Sequence, residues 1–158
     1  IQFGILKRLR GTPIIRHTQE FGMVYDPYPP YTVLATNRID FATMQRLVRF
    51  ARYWDLVANS GRFANTIPVL LGEAPFDNFM AFSDWIYANT DATHRIALDR
   101  LAKLVAQWLQ RCGMDAGEAA TLLASGYAGK VGAPVCPVKQ DAAPEAVAPA
   151  RQVRHLAA

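Results

Sequence analysis

The chain has 158 residues, of which 51% are hydrophobic and 19% are charged, and its mean hydropathy is +0.03. This composition is typical of a soluble globular protein, and the length suits one domain or one domain and a tail. It argues against a membrane-spanning protein, because no apolar run approaches the roughly 20 residues that a membrane helix needs. The N-terminus also shows no secretion signal, so we expect a cytoplasmic protein.

The net charge of +4 and the pI near 9.3 indicate a mild affinity for anions. Dedicated nucleic-acid-binding proteins are usually more basic than this. Nucleic acid is therefore only a minor expectation among the partners of this chain.

Residues 1–9 contain closely spaced apolar side chains with polar ones between them, which favours a β-strand. The turn Gly11-Thr12-Pro13 ends it, because proline cannot donate a hydrogen bond to a neighbouring strand. A single strand leaves its amide and carbonyl groups without partners. We therefore expect the strands that pair with residues 1–9 to belong to a longer polypeptide.

One short helix is expected over residues 14–21, ended by Gly22 in a left-handed conformation. The stretch MVYDPYPPYTVLATN follows, and its three prolines impose an extended path. Tyrosines alternate with these prolines. We interpret the stretch as a segment that packs on the body of the fold rather than as a ligand site.

From Asp40 onward, apolar residues recur at three- and four-residue steps, which is the period of an α-helix. Asp40 is the expected N-cap of the first helix, and Asn59-Ser60-Gly61 ends it. Four more helical segments are expected: residues 63–71, bent or restarted near Pro68; residues 75–87; residues 93–112, ended by Gly113; and residues 115–125.

The periodicity ends near residue 128, beyond which alanine and proline dominate, so we expect a disordered tail over residues 129–158. Its final RQVRHL is either a short docking element or, as the composition favours, a chance cluster. The expected fold is mainly α: a helical domain of four to five helices over residues 37–128. One strand, a turn and a connecting segment precede it over residues 1–36.

The sequence contains no recognisable catalytic or metal-binding motif. Its three histidines lie far apart, and Cys112 and Cys136 match no zinc or redox spacing. No glycine-rich nucleotide-binding motif occurs, and no two carboxylates form a close pair. We therefore predict no catalytic residue and no metal site within this chain.

The basic residues form two groups, one near the N-terminus and one on the first long helix: Lys7, Arg8, Arg10 and Arg16, and Arg46, Arg49 and Arg52. The ordinary interpretation is a solvated basic face. The functional alternative is a surface that recognises phosphates or a neighbouring acidic domain.

Several stretches of the chain resemble known proteins. QFGILKRLRGTPI resembles a late barrel strand of the cobalamin-binding radical SAM proteins, where a strand of the form QLGxLKxLxGTP runs into a turn. EFGMVYDPYPPYTVLATNRIDFATMQRLVRFARYWDLVANSGRF and PFDNFMAFSDWIYANT resemble the C-terminal domain of unknown function in one branch of that family. The final RQVRHL resembles the end of proteins in the same branch. The likeness covers about residues 1–128 and the end of the tail.

This resemblance implies a parent enzyme with a (β/α) barrel, and residues 1–9 would be one of its late strands. Such enzymes hold a [4Fe-4S] cluster on three cysteines spaced CxxxCxxC and use it to cleave S-adenosylmethionine to a carbon radical. An upstream domain binds cobalamin. This sequence has neither the cysteine triad nor a cobalamin-binding region, so we expect all three cofactors to be bound by the parent protein and none by this chain alone.

The matched barrel strand implies cofactor-binding positions at Gln2, Gly4, Lys7, Gly11 and Thr12. Ligands of barrels collect where strands end, which brings Lys7, Gly11 and Thr12 near S-adenosylmethionine or substrate. Strand alternation places Gln2 and Gly4 on one face and Lys7 on the other, so not all can point inward. The alternative is that Gly11-Thr12-Pro13 simply turns the chain.

Two functional hypotheses follow. In the first, the chain is the C-terminal portion of a cobalamin-dependent radical SAM enzyme that acts on an unknown substrate. Its helices then cover the barrel mouth or dock a partner, and its own partners are the barrel and the cobalamin-binding domain of the same polypeptide. In the second, the chain is a stand-alone helical adaptor or RNA-binding module that uses its basic residues and tail.

Overall fold

The computed structural model describes residues 1–127, which form a mainly helical fold with a small antiparallel sheet, as the sequence predicts. The elements in chain order are a 3₁₀ helix (Pro13–His17), strands β1 (Val24–Tyr25) and β2 (Val33–Ala35), and helices α1 (Phe41–Val57), α2 (Ile67–Leu71), α3 (Pro75–Thr90), α4 (Leu98–Arg111) and α5 (Ala116–Tyr127). No helix among these residues combines the length and apolarity needed to cross a bilayer. The predicted tail over residues 129–158, including RQVRHL, lies outside the described residues.

The strand predicted over residues 1–9 is much shorter in the structure. A single antiparallel bridge joins Lys7 to Thr32, with two backbone hydrogen bonds of 2.9 and 3.0 Å between residues 6–8 and 31–33. The expectation that all pairing partners lie outside this sequence is therefore wrong for residues 6–8. A strand persists only where a neighbour exchanges backbone hydrogen bonds with it. Within residues 1–9, only residues 6–8 have such a neighbour, which is residues 31–33.

Residues 1–5 have no strand neighbour within the described part of the chain. Their one hydrogen bond there is donated by the Trp54 indole N–H to the Ile1 carbonyl, at 3.0 Å. The Phe3 ring packs edge-on against both Phe50 and Trp54, with each pair of ring centroids 5.0 Å apart. Side-chain contacts with α1 therefore hold this segment in place of backbone pairing.

The segment after the Gly11 turn is a 3₁₀ helix followed by turns, rather than the single helix predicted over residues 14–21. Hydrogen bonds to the third residue back are common in such short pieces. Gly22 ends the segment with a φ of +54°, as predicted. A Cβ atom at Gly22 would lie 3.2 Å from the Cβ of Asn37, so both the backbone conformation and the space favour glycine here.

The predicted extended stretch forms β1, β2 and the turn between them. The two strands pair with an irregular register in which Val24 is opposite Ala35 and Tyr25 is opposite Val33. β2 also contacts α1, so the stretch packs on the helical body as predicted.

Helix α1 begins as the sequence predicts. The Asp40 Oδ1 atom accepts a hydrogen bond from the Thr43 backbone N–H at 2.7 Å, which makes Asp40 the N-cap. These hydrogen bonds from Thr43 stabilise the carboxylate and lower the pKa of Asp40 below its ordinary value. Pro75 opens α3, also as predicted, although α3 continues to Thr90.

Helix α4 begins at Leu98, five residues after its predicted start. Residues 91–97 form a loop in which Asp91 and Arg95 both have positive φ angles, of 48° and 58°. A left-handed residue cannot continue an α-helix, so the loop delays the start of α4. Gly113 follows α4 with a φ of +97°, as predicted.

The core lies between α1 and α3 and continues under α4 and α5. Its centre is the fully buried ring of Phe79, whose centroid is 4.8 Å from that of Trp54 and 4.9 Å from that of Phe50. α5 contributes two buried residues, Ala119 and Leu123. The aromatic rings of Phe50, Trp54, Phe79 and Phe82 are therefore buried in the core, whereas Phe76, which its helical spacing also places there, is 52% exposed.

Tyr53 connects α1 to the loop that precedes α4. Its ring is fully buried, and its hydroxyl donates a 2.8 Å hydrogen bond to the Ala92 carbonyl. Burial raises the pKa of the Tyr53 phenol above its ordinary value of 10.0, because the charged phenolate is poorly solvated there.

This shift predicts a loss of stability in alkali. Below the unfolded-state pKa, both the folded and the unfolded state hold the phenol proton, so the stabilisation by the buried, protonated Tyr53 is fully present. It is lost as the pH rises through the higher folded-state pKa, because the unfolded state releases the proton more readily. We expect Tyr53→Phe to cost about 1 kcal/mol at neutral pH. In urea-unfolding experiments, the difference in free energy of unfolding between the wild-type chain and Tyr53→Phe should shrink near pH 11. The same difference at pH 7 and pH 11 would contradict the prediction.

Candidate functional site

An open cleft of about 620 Å³ lies beside the turn that leads into the 3₁₀ helix. We call it the basic cleft, and it is lined by Arg8, Leu9, Arg10, Gly11, Thr12, Pro13, Ile15 and Tyr31. Its lining thus combines two guanidinium groups with an aromatic ring and apolar side chains. Such a surface suits an anionic ligand that also has a flat or apolar part.

Arg8 is held between two tyrosines. Its guanidinium carbon lies 5.0 Å from the ring centroid of Tyr25 and 5.8 Å from that of Tyr31. Its backbone N–H donates a 3.0 Å hydrogen bond to the Tyr31 carbonyl. Residues 31–33 lie between residues 6–8 and β1, and this arrangement brings the three side chains together. The stacking restricts the guanidinium group before any ligand binds.

The Gly11-Thr12 turn also lines the cleft. The Thr12 hydroxyl donates a 2.6 Å hydrogen bond to the Leu9 carbonyl, which also accepts a 3.2 Å hydrogen bond from the Thr12 N–H. Gly11 has a φ of +79°, and no heavy atom lies within 4 Å of its ideal Cβ position. The backbone conformation therefore favours glycine at residue 11, while the space beside it stays open.

The structure brings together only part of the predicted cofactor-binding set. Gly11 and Thr12 line the basic cleft, whereas Lys7 lies in the bridge to Thr32. Gln2 and Gly4 are exposed in the segment beside α1. A cofactor-binding role for these five residues stays a prediction.

The sequence indicates a binding role for some of the other residues that line the basic cleft, but not for all of them. Arg8 and Arg10 belong to the basic N-terminal group that is visible in the sequence, whereas no sequence pattern indicates a ligand role for Tyr31. Tyr31 has a φ of +55°, which is uncommon for a residue other than glycine. Its position depends on pairing with a distant segment, and no local sequence signal reports that.

The positive charges of the basic cleft have no acidic partner among residues 1–127. The ion pairs found in this part of the chain are His17–Glu20, Arg46–Asp84 and Arg49–Asp84. Neither Arg8 nor Arg10 takes part in one. The cleft therefore presents two uncompensated guanidinium groups.

The arginines of α1, by contrast, make contacts within the domain. Arg46 donates hydrogen bonds to both carboxylate oxygens of Asp84, which raises the pKa of Arg46. Arg49 lies over the Tyr87 ring at 4.4 Å, and the Arg52 Nε–H donates to the Thr93 carbonyl at 3.2 Å. These contacts favour a structural role for this group over a phosphate-binding surface.

Exposed apolar side chains are concentrated in the first 28 residues. We call this set the apolar N-terminal surface: Ile1, Phe3, Leu6, Leu9, Ile15, Phe21, Val24 and Tyr28. The other large apolar residues exposed in the described chain are Phe41, Val69 and Phe76. Their concentration in one stretch of the sequence makes this part of the chain a candidate interaction site.

The described residues do not fit a [4Fe-4S] cluster or a metal ion. The one cysteine among them is Cys112, which is exposed and free, whereas a cluster of the expected kind needs three thiolates. No group of three or more His, Cys, Asp or Glu side chains in residues 1–127 is placed to hold a metal ion. Any chemistry that needs such a centre must take its ligands from elsewhere.

Comparison with known proteins identifies a family and leaves its activity open. A family model described as "Protein of unknown function (DUF4080)" matches residues 19–127. No curated protein and no solved structure matches the chain. The family match includes the sheet and all five helices of the described chain, and it begins after the turn that supports the basic cleft.

Proposed function

Since the chain belongs to the DUF4080 family of proteins of unknown function, we propose that it is the C-terminal portion of a cobalamin-dependent radical SAM enzyme of the cytoplasm. In this proposal the helices act as a domain that covers or docks against the barrel of the same polypeptide. The substrate is not specified by any residue of the described chain. The proposal rests on the resemblance of QFGILKRLRGTPI to a late barrel strand together with one structural observation.

That observation is the apolar N-terminal surface. Within residues 1–9, Ile1 is 89% exposed, Leu6 is 47% exposed and Leu9 is 54% exposed. Residues 1–5 also lack a strand neighbour in the described chain. A barrel that packs on this segment would bury the apolar side chains and supply the missing backbone partners.

The contacts of Phe3 and Ile1 with α1 support the covering role. Phe3 packs against Phe50 and Trp54, and Trp54 holds the Ile1 carbonyl. The segment that resembles a barrel strand is thus attached directly to the helical core. A barrel continuous with this segment would have the helices fixed beside it rather than on a free linker.

The alternative, a stand-alone adaptor or RNA-binding module, has less support. RNA binding along a strand needs an extended positive surface. The arginines of α1 contact Asp84, Tyr87 and Thr93 within the domain, which leaves them less available to an RNA strand.

The first test is the coding sequence upstream of Ile1. We expect an open reading frame that continues into a CxxxCxxC motif and a cobalamin-binding region. The complete protein, expressed without oxygen, should then show iron-sulfur absorption and reductive cleavage of S-adenosylmethionine. Removal of residues 37–158 should impair turnover of the cognate substrate. A start codon directly before Ile1, or a complete protein without a cluster, would overturn the proposal.

A further inference from the structure

We propose that the basic cleft binds a small phosphate-bearing ligand through Arg8 and Arg10, with the ring of Tyr31 beside the ligand's flat or apolar part. This inference goes beyond the proposed function, and it concerns the cleft as it stands open in the 158-residue chain. It rests on the charge, the shape and the backbone geometry of the cleft.

The guanidinium groups of Arg8 and Arg10 are free to bind an anion. No side chain or carbonyl of residues 1–127 accepts a hydrogen bond from the guanidinium groups of Arg8 or Arg10, and neither group is in an ion pair. A guanidinium group has five N–H donors in a planar arrangement that matches phosphate oxygens. Arg8 is already oriented by Tyr25 and Tyr31, so less side-chain entropy is lost when it binds.

The size of the cleft favours a small ligand over a nucleic acid. Its volume of about 620 Å³ lies within the range of small-molecule sites. The positive charge of two arginines matches the negative charge of one phosphate monoester group. A nucleic-acid strand needs positive charge spread along several phosphates, and the arginines of α1 are unavailable for this because they contact Asp84, Tyr87 and Thr93.

The backbone around the cleft gives the third argument. The open space beside Gly11 lets a ligand approach the main chain closely. Tyr31, which also lines the cleft, adopts a φ of +55° that is unfavourable for a tyrosine, and such strained residues are often found at ligand sites. The lining of the cleft therefore includes both an accessible stretch of backbone and an aromatic ring held in an uncommon conformation.

The experiment is calorimetric titration of the full chain with inorganic pyrophosphate, AMP and adenosine. We expect pyrophosphate and AMP to bind and adenosine to show no measurable binding, because the phosphate supplies the charge contacts. Arg10→Gln should weaken AMP binding about tenfold or more, since each charged hydrogen bond contributes strongly. Arg8→Lys should also weaken it, because lysine keeps the charge but loses the planar set of donors.

Arg62→Gln is the matched control, since Arg62 is an exposed arginine on the helical body and does not line the cleft. We expect its AMP affinity to stay within about twofold of that of the wild-type chain, because Arg62 does not line the cleft and exposed charges are screened by salt. Thermal melting of each variant must show that it folds, and Arg8→Lys serves as the second cleft variant should Arg10→Gln fail to fold.

Three results would overturn the inference. The first is no binding of pyrophosphate or AMP at millimolar concentration, and the second is equal weakening by Arg10→Gln and Arg62→Gln. The third is much tighter binding of single-stranded RNA than of AMP with a steep salt dependence, which would make the ligand a nucleic acid. The radical SAM proposal is tested separately, by the upstream coding sequence and the iron-sulfur absorption, so its failure would not change the result of this titration.

Discussion

Replacement of Phe79 by alanine is expected to lower the free energy of unfolding by about 3 to 5 kcal/mol. The Phe79 side chain is 0% exposed and contacts the rings of Phe50, Trp54 and Phe82. Its removal leaves a cavity between α1 and α3 that the surrounding rings cannot fill without leaving their preferred rotamers. Domains of this size are stable by about 5 to 15 kcal/mol, so much of the total stability is at risk.

The measurement is urea unfolding of the purified chain, followed by circular dichroism. Phe76→Ala is the matched control, because it makes the same substitution on the same helix at a side chain that is 52% exposed. The Phe76 ring contacts one other ring, that of Phe50, so we expect Phe76→Ala to lower the free energy of unfolding by only about 1 kcal/mol. Equal losses for the two variants would contradict the assignment of Phe79 to the centre of the core.

The second large effect is expected when Leu6 is replaced by aspartate in the complete radical SAM enzyme that we propose. If a barrel covers the apolar N-terminal surface, the new carboxylate is buried without a partner. Such a change costs roughly 3 kcal/mol or more. We expect a lower melting temperature and loss of the iron-sulfur absorption.

Val69→Asp is the control for Leu6→Asp. The two residues are almost equally exposed in the described chain, at 48% for Val69 and 47% for Leu6, but Val69 lies on α2, away from the apolar N-terminal surface. In the 158-residue chain alone, both substitutions should have similarly small effects. The proposed covering of this surface is wrong if the complete protein tolerates Leu6→Asp as well as Val69→Asp.

The helical part of the fold could be predicted because its signals are local. The apolar period locates α1, the proline at residue 75 locates the start of α3, and Asp40 has the side chain that an N-cap needs. Gly22 and Gly113 end their segments in left-handed conformations, as glycine at such positions favours. Each of these features is decided within about one helical turn of sequence.

The errors occur where distant residues decide the structure. The extent of the strand in residues 1–9 depends on which segments lie beside it, and only residues 31–33 do so within the described chain. The late start of α4 follows the loop at residues 91–97, where Arg52 and Tyr53 of the distant helix α1 donate hydrogen bonds to backbone carbonyls.

The basic cleft, too, could be predicted only where its residues lie close together in the sequence. Arg8, Arg10, Gly11 and Thr12 are adjacent in sequence, so their proximity could be predicted. The approach of Tyr25 and Tyr31 to Arg8 could not, because it requires the pairing of the N-terminal segment with the residues before β2.

The hydrogen bond between the Trp54 indole and the Ile1 carbonyl gives the molecule a built-in optical reporter. Indole emission and near-ultraviolet dichroism respond to the polar contacts of the ring, and the Phe3 ring packs on the same indole. Displacement of residues 1–3 from α1 would expose one edge of Trp54 to water and shift its emission to longer wavelength. Attachment and release of the first few residues can thus be followed in solution without an added label, as a change in Trp54 emission above the background of Trp85 and Trp108.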